Sequence, residues 1–407
     1  MVERKKIVIA GGGPVGMVGA LKLARAGLPV TVLEQGSDLA TDSKASTFHP
    51  PTLELLEELG VIDEVLTQGL KAPRFQQRTR AGELLADLDM SELAGDTKYP
   101  FRIQLEQSKL TRIIRPVLEK MPNVELLFDQ HVDRAEDGGD HARVYVNGSD
   151  TPIETEWLIG CDGANSMVRQ GLGFEFDGVT FPERFLVMST THDFQQEMPD
   201  LAYVAYITDP DEWMVLLRTP DHWRCLMPVP ADEANEDAVR PERIQQRLQG
   251  AAPIDGEYDV IQHSIYNVHQ RVASNFSQNR VLIAGDSAHM NNPLGGMGMN
   301  SGIHDVWSAA DAIIAVEQRG ADWHAASEIY GRIRSAACHE YVQAQTTQNF
   351  RDMQEKDRAV RAARDDMMRN LMTDADARRA YLLKSSMLTS AHAALAQVED
   401  ELAALTA

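Results

Sequence analysis

Residues 7–34 read IVIAGGGPVGMVGALKLARAGLPVTVLE, and the order of residue types along them decides the fold. Ile7 to Ala10 is an apolar, β-branched run that predicts a buried strand. GGGPVG follows, putting Gly11, Gly13 and Gly16 on a G-x-G-x-x-G template with Pro14 and Val15 inside it. The pattern then predicts an amphipathic helix from about Val15 to Ala26, stopped at Gly27. A second run, Pro29 to Leu33, ends in Glu34, eighteen residues beyond Gly16. In such a unit Gly11 permits a tight turn, Gly13 lets a pyrophosphate approach the backbone, and Gly16 allows close helix–strand packing. The helix N-terminus faces the phosphates, and Glu34 can accept hydrogen bonds from a ribose. A glycine pattern alone also occurs in plain turns. Strand, motif, helix, strand and terminal acid in that order predict an adenine-dinucleotide site, for NAD or FAD.

Outward from this segment, composition narrows the class. The 407 residues carry 39 Lys and Arg against 61 Asp and Glu, a net charge of −22. So acidic a chain repels phosphate backbones and anionic lipid, which argues against nucleic-acid and membrane-surface partners. No apolar run approaches the ~20 residues of a membrane helix. The opening MVERKK leaves no room for a signal peptide, so a cytoplasmic protein is expected. Cys161, Cys225 and Cys338 match no metal or disulfide spacing, and no metal is expected.

Two later motifs bear on the cofactor. Residues 157–169 read WLIGCDGANSMVR, a strand followed by Asp162 and Gly163. Residues 280–302 read RVLIAGDSAHMNNPLGGMGMNSG: a strand, Gly285 and Asp286, a glycine-rich turn, then a long helix from near Asn300. An Asp just past a strand suits a polyol, whose hydroxyls it can accept. Backbone amides of Gly298, Met299 and Asn300 would sit at the helix N-terminus, where partial positive charge stabilises an anionic ring.

These three motifs, GGGPVG with Glu34, CDGANSMVR and GDSAH…NPLGGMGMNSG, resemble in order and separation the fingerprints of single-component FAD-dependent aromatic hydroxylases, the para-hydroxybenzoate and phenol hydroxylase group. The resemblance covers about residues 5 to 350. It implies an ADP-binding set of Gly11, Gly13, Pro14, Val15, Gly16 and Glu34, with Gln107 of EQSKL near the ribityl-phosphate. It links Asp162 and Gly163 to FAD and the nicotinamide nucleotide, makes Asp286 the ribityl ligand, and sets Pro293 to Gly298, with Met299 and Asn300, beside the flavin ring. Two positions depart from the family. Lys44 in SKAST stands where Arg is usual near the pyrophosphate, keeping the charge and losing the fork. Ser287 replaces the commoner alanine of GDAAH, a change expected to matter little. The implied reaction uses NADH or NADPH and dioxygen to hydroxylate a small phenol-like aromatic through a flavin hydroperoxide. The stretch KYPFRIQLEQ is similar to hydroxylases of substituted phenols, nitrophenols included; hydroxybenzoate, hydroxypyridine and aminophenol rings stay open.

The expected architecture is α/β: a discontinuous Rossmann-like FAD-binding domain (1–73, 98–180, 276–350), a mostly antiparallel substrate sheet (74–97, 181–275) and a helical C-terminal region (351–407). Runs at Val124 to Val132 and Ala142 to Asn147, with the strand before Asp162, predict a β-meander. Strand-like runs at 185–191, 202–207, 213–218 and 223–227 carry Tyr203, Tyr206, Trp213 and Arg218 as candidate substrate contacts. Tyr206 could polarise a phenol and Arg218 bind an anionic substituent, each alternatively a packing residue. His49 could relay protons or simply open a helix. The tail from Ala375 reads as a helix packed on its own chain, with a homodimer contact as the other reading. Trp157, Trp213, Trp223, Trp307 and Trp323 never form the W-x-W of flavin halogenases. A quinone-ring hydroxylase of isoprenoid pathways and a flavin reductase remain alternatives. A non-enzymatic relative needs none of the three motifs, and a plain NAD dehydrogenase leaves the third unexplained.

Overall fold

The computed structural model describes residues 5–41 and 45–406; Lys44 lies outside the described residues. The apolar strand Lys5–Ala10 is central in a sheet whose neighbours Val30–Leu33 and Ile153–Gly160 run parallel to it. Val124–Leu127 and Val281–Ile283 extend the same sheet in parallel on either side. Both faces are covered, as a parallel sheet requires. Helix Pro14–Arg25 packs against Gln107–Leu118 and against the long helix Gly298–Arg319.

The expected meander is displaced. The run from Val124 to Val132 is two strands: Val124–Leu127 joins the parallel sheet, and Val132–Asp137 pairs antiparallel with Ala142–Val146, which pairs with Ile153–Gly160. The break has a local cause. Asp129 adopts φ +55°, and its amide, like that of Gln130, is drawn to carbonyls of the Glu34–Gly36 turn. Left-handed backbone at one residue ends strand geometry there.

The second sheet runs in the order His289–Met290, Val260–Ala273, Phe176–Thr190, Trp223–Val229, Met214–Arg218, Val204–Thr208, Arg74–Thr79, Leu84–Asp89. It is antiparallel except where Val204–Thr208 meets Arg74–Thr79. Phe176–Thr190 begins nine residues before the expected run, because residues 176–180 pair with 269–273 in the same sheet. Alternation sorts its faces. Leu186, Met188, Leu216 and Met227 pack under helix Pro241–Ala251, while Phe185, Trp213 and Val215 face Leu294 and Phe350. Helices Arg358–Leu371 and Ala375–Ser385 place Met368, Leu371 and Leu382 against Phe75, Leu85 and Leu88, and the last helix, Leu388–Ala404, packs Val398 and Leu402 into the core around the parallel sheet. Among the described residues no helix is long and apolar enough to cross a membrane, and no His, Cys, Asp and Glu group is arranged to hold a metal.

Candidate active site

At the first turn, sterics account for two glycines and leave the third to something outside the chain. Gly11 has φ +106°, and a Cβ there would lie 2.3 Å from the Cys161 carbonyl oxygen. A Cβ on Gly16 would lie 2.0 Å from the Gly11 carbonyl oxygen. At Gly13 a Cβ would meet nothing within 4 Å. That open space lies at the N-cap of helix Pro14–Arg25, which has no side-chain cap and no acid in its first turn. Its orphan amides and positive dipole end suit a pyrophosphate. Glu34 accepts hydrogen bonds from Gly12 N and Gly36 N, both at 2.8 Å, and so stands fixed at the end of the second strand. The cradle fits the ADP half of FAD.

The middle and third motifs are bound to each other. Asp162 Oδ1 accepts from Ser166 Oγ at 2.5 Å and from Ser287 Oγ at 3.0 Å, while Oδ2 accepts from Met167 N and Val168 N. The carboxylate thus shapes its own turn. Ser287 Oγ also accepts from Gly163 N at 3.0 Å, so the side chain of the serine expected to matter little links the two motifs, beside Arg169 Nη1, which donates to Ser287 O at 3.1 Å. Beside it, Asp286 is exposed on the short turn Gly285–Ser287. Beneath that turn the fully buried Asp305 accepts from Gly285 N at 3.2 Å, His289 Nε2 at 2.8 Å and Arg334 Nε at 2.9 Å. Burial pushes the Asp305 carboxyl up, but Arg334 and His289 outweigh it and hold the group below its ordinary value.

The glycine-rich turn is held from outside by its carbonyls. Gln343 Nε2 donates to Met290 O, Asn349 Nδ2 to Leu294 O, and Asn300 Nδ2 to both Gly296 O and Thr47 O, all at 2.7–3.0 Å. His49 Nε2 lies 2.8 Å from Gly295 O; a carbonyl only accepts, so this nitrogen carries the proton. Asn300 is more than an amide at a helix start, since its Oδ1 also accepts from His49 N. Pro293 O accepts from Gly296 N and closes the turn. With the carbonyls tied back, the first amides of helix Gly298–Arg319, those of Gly298, Met299 and Asn300, have no helix carbonyl to serve. They suit the electron-rich edge of a flavin ring. Gln107 opens helix Gln107–Leu118 nearby, its amide bonded to Ala45 O. His49 itself is fully buried, with its pKa well below the ordinary value through burial first and Arg102 second. A neutral clasp on the turn is what the structure gives it.

Against this turn lies a small cavity of about 40 Å³, partly open to solvent. Gly295, Tyr206, Arg102, Phe75, Tyr381 and Arg364 line it. Arg102 comes from the short strand Arg102–Gln104, is 2% exposed, and lies with its guanidinium 4.3 Å over the Phe75 ring. Its Nη1 reaches Tyr206 Oη at 3.5 Å and its Nη2 reaches Ser385 O at 3.3 Å; Nε is buried without a partner. Burial first, then Tyr206, pushes the Tyr381 phenol up to about 12, against the opposing pull of the Arg364 cation.

Of the four candidate substrate residues, Tyr206 alone reaches the cavity wall. Trp213 packs edge-on against Phe185 at 4.9 Å between ring centroids, in the core under Phe350. Tyr203 sits between two apolar clusters beside Trp223. Arg218 ends its strand 5.9 Å over Trp223, away from the cavity lining. Arg102, Arg364 and Tyr381 were missed. Arg102 had one signal, a charged residue amid the apolar PFRIQL; the two from the tail had none.

The chain is similar to known proteins along most of its length. The family described as FAD binding domain matches residues 4–345. The chain is 34% identical to para-nitrophenol 4-monooxygenase of Pseudomonas sp. (strain WBC-3) across 93% of this chain and 94% of that one. It is also 34% identical to 6-hydroxy-3-succinoylpyridine 3-monooxygenase HspB of Pseudomonas putida (strain DSM 28022 / S16), across 79% and 82%. The crystal structure of p-nitrophenol 4-monooxygenase PnpA from Pseudomonas putida DLL-E4 superposes with a TM-score of 0.89 at 32% identity, covering 95% of this chain and 99% of that one.

Proposed function

The chain belongs to the FAD-dependent aromatic hydroxylases, monooxygenases with NAD(P)H and dioxygen as co-substrates, and from that premise we propose that it hydroxylates a small phenol held between Arg102, Tyr206 and the Gly295 turn. Bound FAD supplies electron transfer from NAD(P)H and the activation of dioxygen. The remaining tasks fall to the protein. Gly13, Glu34, Asp286 and the amides of Gly298 to Asn300 hold the cofactor, and Asp305 with Ser287 hold the turn that carries Asp286. We read 1–73, 98–180 and 276–350 as the cofactor unit, 74–97 and 181–275 as the substrate sheet, and the cytoplasm, where NAD(P)H is supplied, as its place.

One observation carries the substrate reading: Arg102 is a buried cation with no carboxylate at ion-pair distance among the described residues, and it lines the cavity. A buried charge without a counter-ion is costly, so the cavity favours an anionic ligand. A phenolate answers that charge. Its negative charge enriches the ring in electrons, which electrophilic oxygen transfer requires, and Tyr206 Oη beside Arg102 can donate to the same oxygen. Phe75 and Tyr381, stacked at 6.4 Å between centroids, offer the ring an apolar flank and exclude water. The two relatives named above act on rings carrying a hydroxyl, one a nitrophenol and one a hydroxypyridine; a para-substituted phenol is the substrate proposed here.

The test is NAD(P)H oxidation by the FAD-loaded protein with a panel of phenols, with products separated chromatographically. One phenol should accelerate oxidation and return as a hydroxylated product. Arg102→Met should weaken binding of that phenol by about 10-fold or more, the scale of a hydrogen bond to a charged group, while FAD remains bound. If no phenol stimulates oxidation, or R102M binds it undiminished, the reading is wrong.

A further inference from the structure

The cavity wall is drawn from two parts of the chain. Arg102, Tyr206 and Gly295 lie within the matched stretch 4–345, whereas Arg364, Met368, Tyr381 and Ser385 come from the helices Arg358–Leu371 and Ala375–Ser385 beyond it. The family match ends at residue 345, while one wall of the cavity comes from the helices that follow it. Arg364 is the charged residue of these four. It is 8% exposed and fixed in place: Nη1 donates to Thr208 Oγ1 at 2.9 Å and to Asp365 Oδ1 at 2.7 Å, and Nη2 donates to Gln77 Oε1 at 3.1 Å. Its Nε is buried without a partner, as is that of Arg102. Asp365 pairs with Arg364 and Asp352 also lines the cavity, yet each of the two guanidinium groups keeps one buried N–H without an acceptor, which costs its desolvation unless a ligand supplies one.

Resting on the reading of this cavity as the phenol site, we infer that Arg364 determines specificity: it binds an oxygen-acceptor substituent of the ring, such as nitro, acyl or carboxylate, while Arg102 takes the ring hydroxyl. The substrate is then an aromatic with two polar ends and a face against Phe75 and Tyr381. Rings with a hydroxyl and only an alkyl substituent leave the Arg364 Nε without an acceptor and bind more weakly.

Calorimetric titration of the FAD-loaded protein with p-nitrophenol, 4-hydroxybenzaldehyde and p-cresol tests this without turnover. Wild type should bind the two acceptor-bearing phenols about 10-fold or more tighter than p-cresol. R364M should bring that ratio toward one, and R364K, which keeps charge but loses the fork, should fall between. If R364M does not retain FAD, the wild-type ratio and R364K decide. A wild-type ratio near one, or variants that weaken all three ligands by the same factor, would overturn the role of Arg364 and leave the cavity as the phenol site. Binding of none of the three by wild type would overturn the functional reading itself.

Discussion

At the scale of single residues, Ser287 shows how a small departure from a motif becomes structure. Its hydroxyl donates to Asp162 and accepts from Gly163 N, joining two turns 124 residues apart in the chain. Ser287→Ala should cost about 1–3 kcal/mol, because Gly163 N loses its acceptor and Asp162 one donor. It should also weaken FAD, since the Asp286 turn loses its brace to Gly163. Thermal unfolding and an FAD dissociation constant check both, and a variant matching wild type in each would reduce the serine to a packing atom. Gly11, Gly16 and Glu34 were legible in the sequence because a dinucleotide turn places all its demands within one short stretch. Ser287 was not, since its partners belong to another motif and only three-dimensional proximity reveals them. Arg218 misled for the opposite reason. A cation on a strand of the right sheet says nothing about which end of the strand reaches the cavity.

At the scale of elements, helix Pro14–Arg25 and helix Gly298–Arg319 cross at a distance set by one glycine. A Cβ on Gly19 would lie 2.3 Å from Val306 Cγ2. Gly19→Ala should therefore destabilise by about 1–3 kcal/mol despite alanine's better helix propensity, since overpacking outweighs a gain of at most about 1 kcal/mol. Val306→Ala in the same chain should restore much of the loss, because it removes the clashing methyl. A double-mutant cycle by denaturant unfolding reads the coupling directly; additive single effects would mean that the helices simply move apart. Strand and helix types along most of the chain were legible from periodicity. The split at Asp129 was not, because the alternation of Val124 to Val132 continues through a residue whose backbone is turned by the Glu34–Gly36 segment.

At the scale of the whole molecule, the cavity proposed for the phenol is assembled from segments around Phe75, Arg102, Tyr206, Gly295 and the helices beyond residue 345, so no local spacing could announce it. The same assembly buries two histidines where helix Pro50–Glu58 meets the glycine-rich turn and helix Gly298–Arg319. His49 caps the first helix and holds Gly295 O, and His304 Nε2 meets Thr52 Oγ1 at 3.0 Å. Burial, then Arg334, pushes His304 down to about 3. An unfolded histidine titrates near 6.5. Between those values the unfolded chain binds a proton that the folded chain refuses, so this contribution to stability is complete above about pH 6.5 and is lost as pH falls toward 3. The slope from His304 alone is at most about 1.4 kcal/mol per pH unit. Acidification also lowers the net charge of −22 and relieves self-repulsion, which opposes the histidine effect and hides it in wild type alone. His304→Gln removes the titrating group and leaves the remaining charges in place, so the difference between the two proteins isolates it. Unfolding free energies at pH 7.5, 6.5, 5.5 and 4.5 should show the wild type losing stability faster than H304Q on the acid side, with the gap widening below about pH 6.5. Parallel curves would mean that His304 takes up its proton in the folded protein as readily as in the unfolded chain.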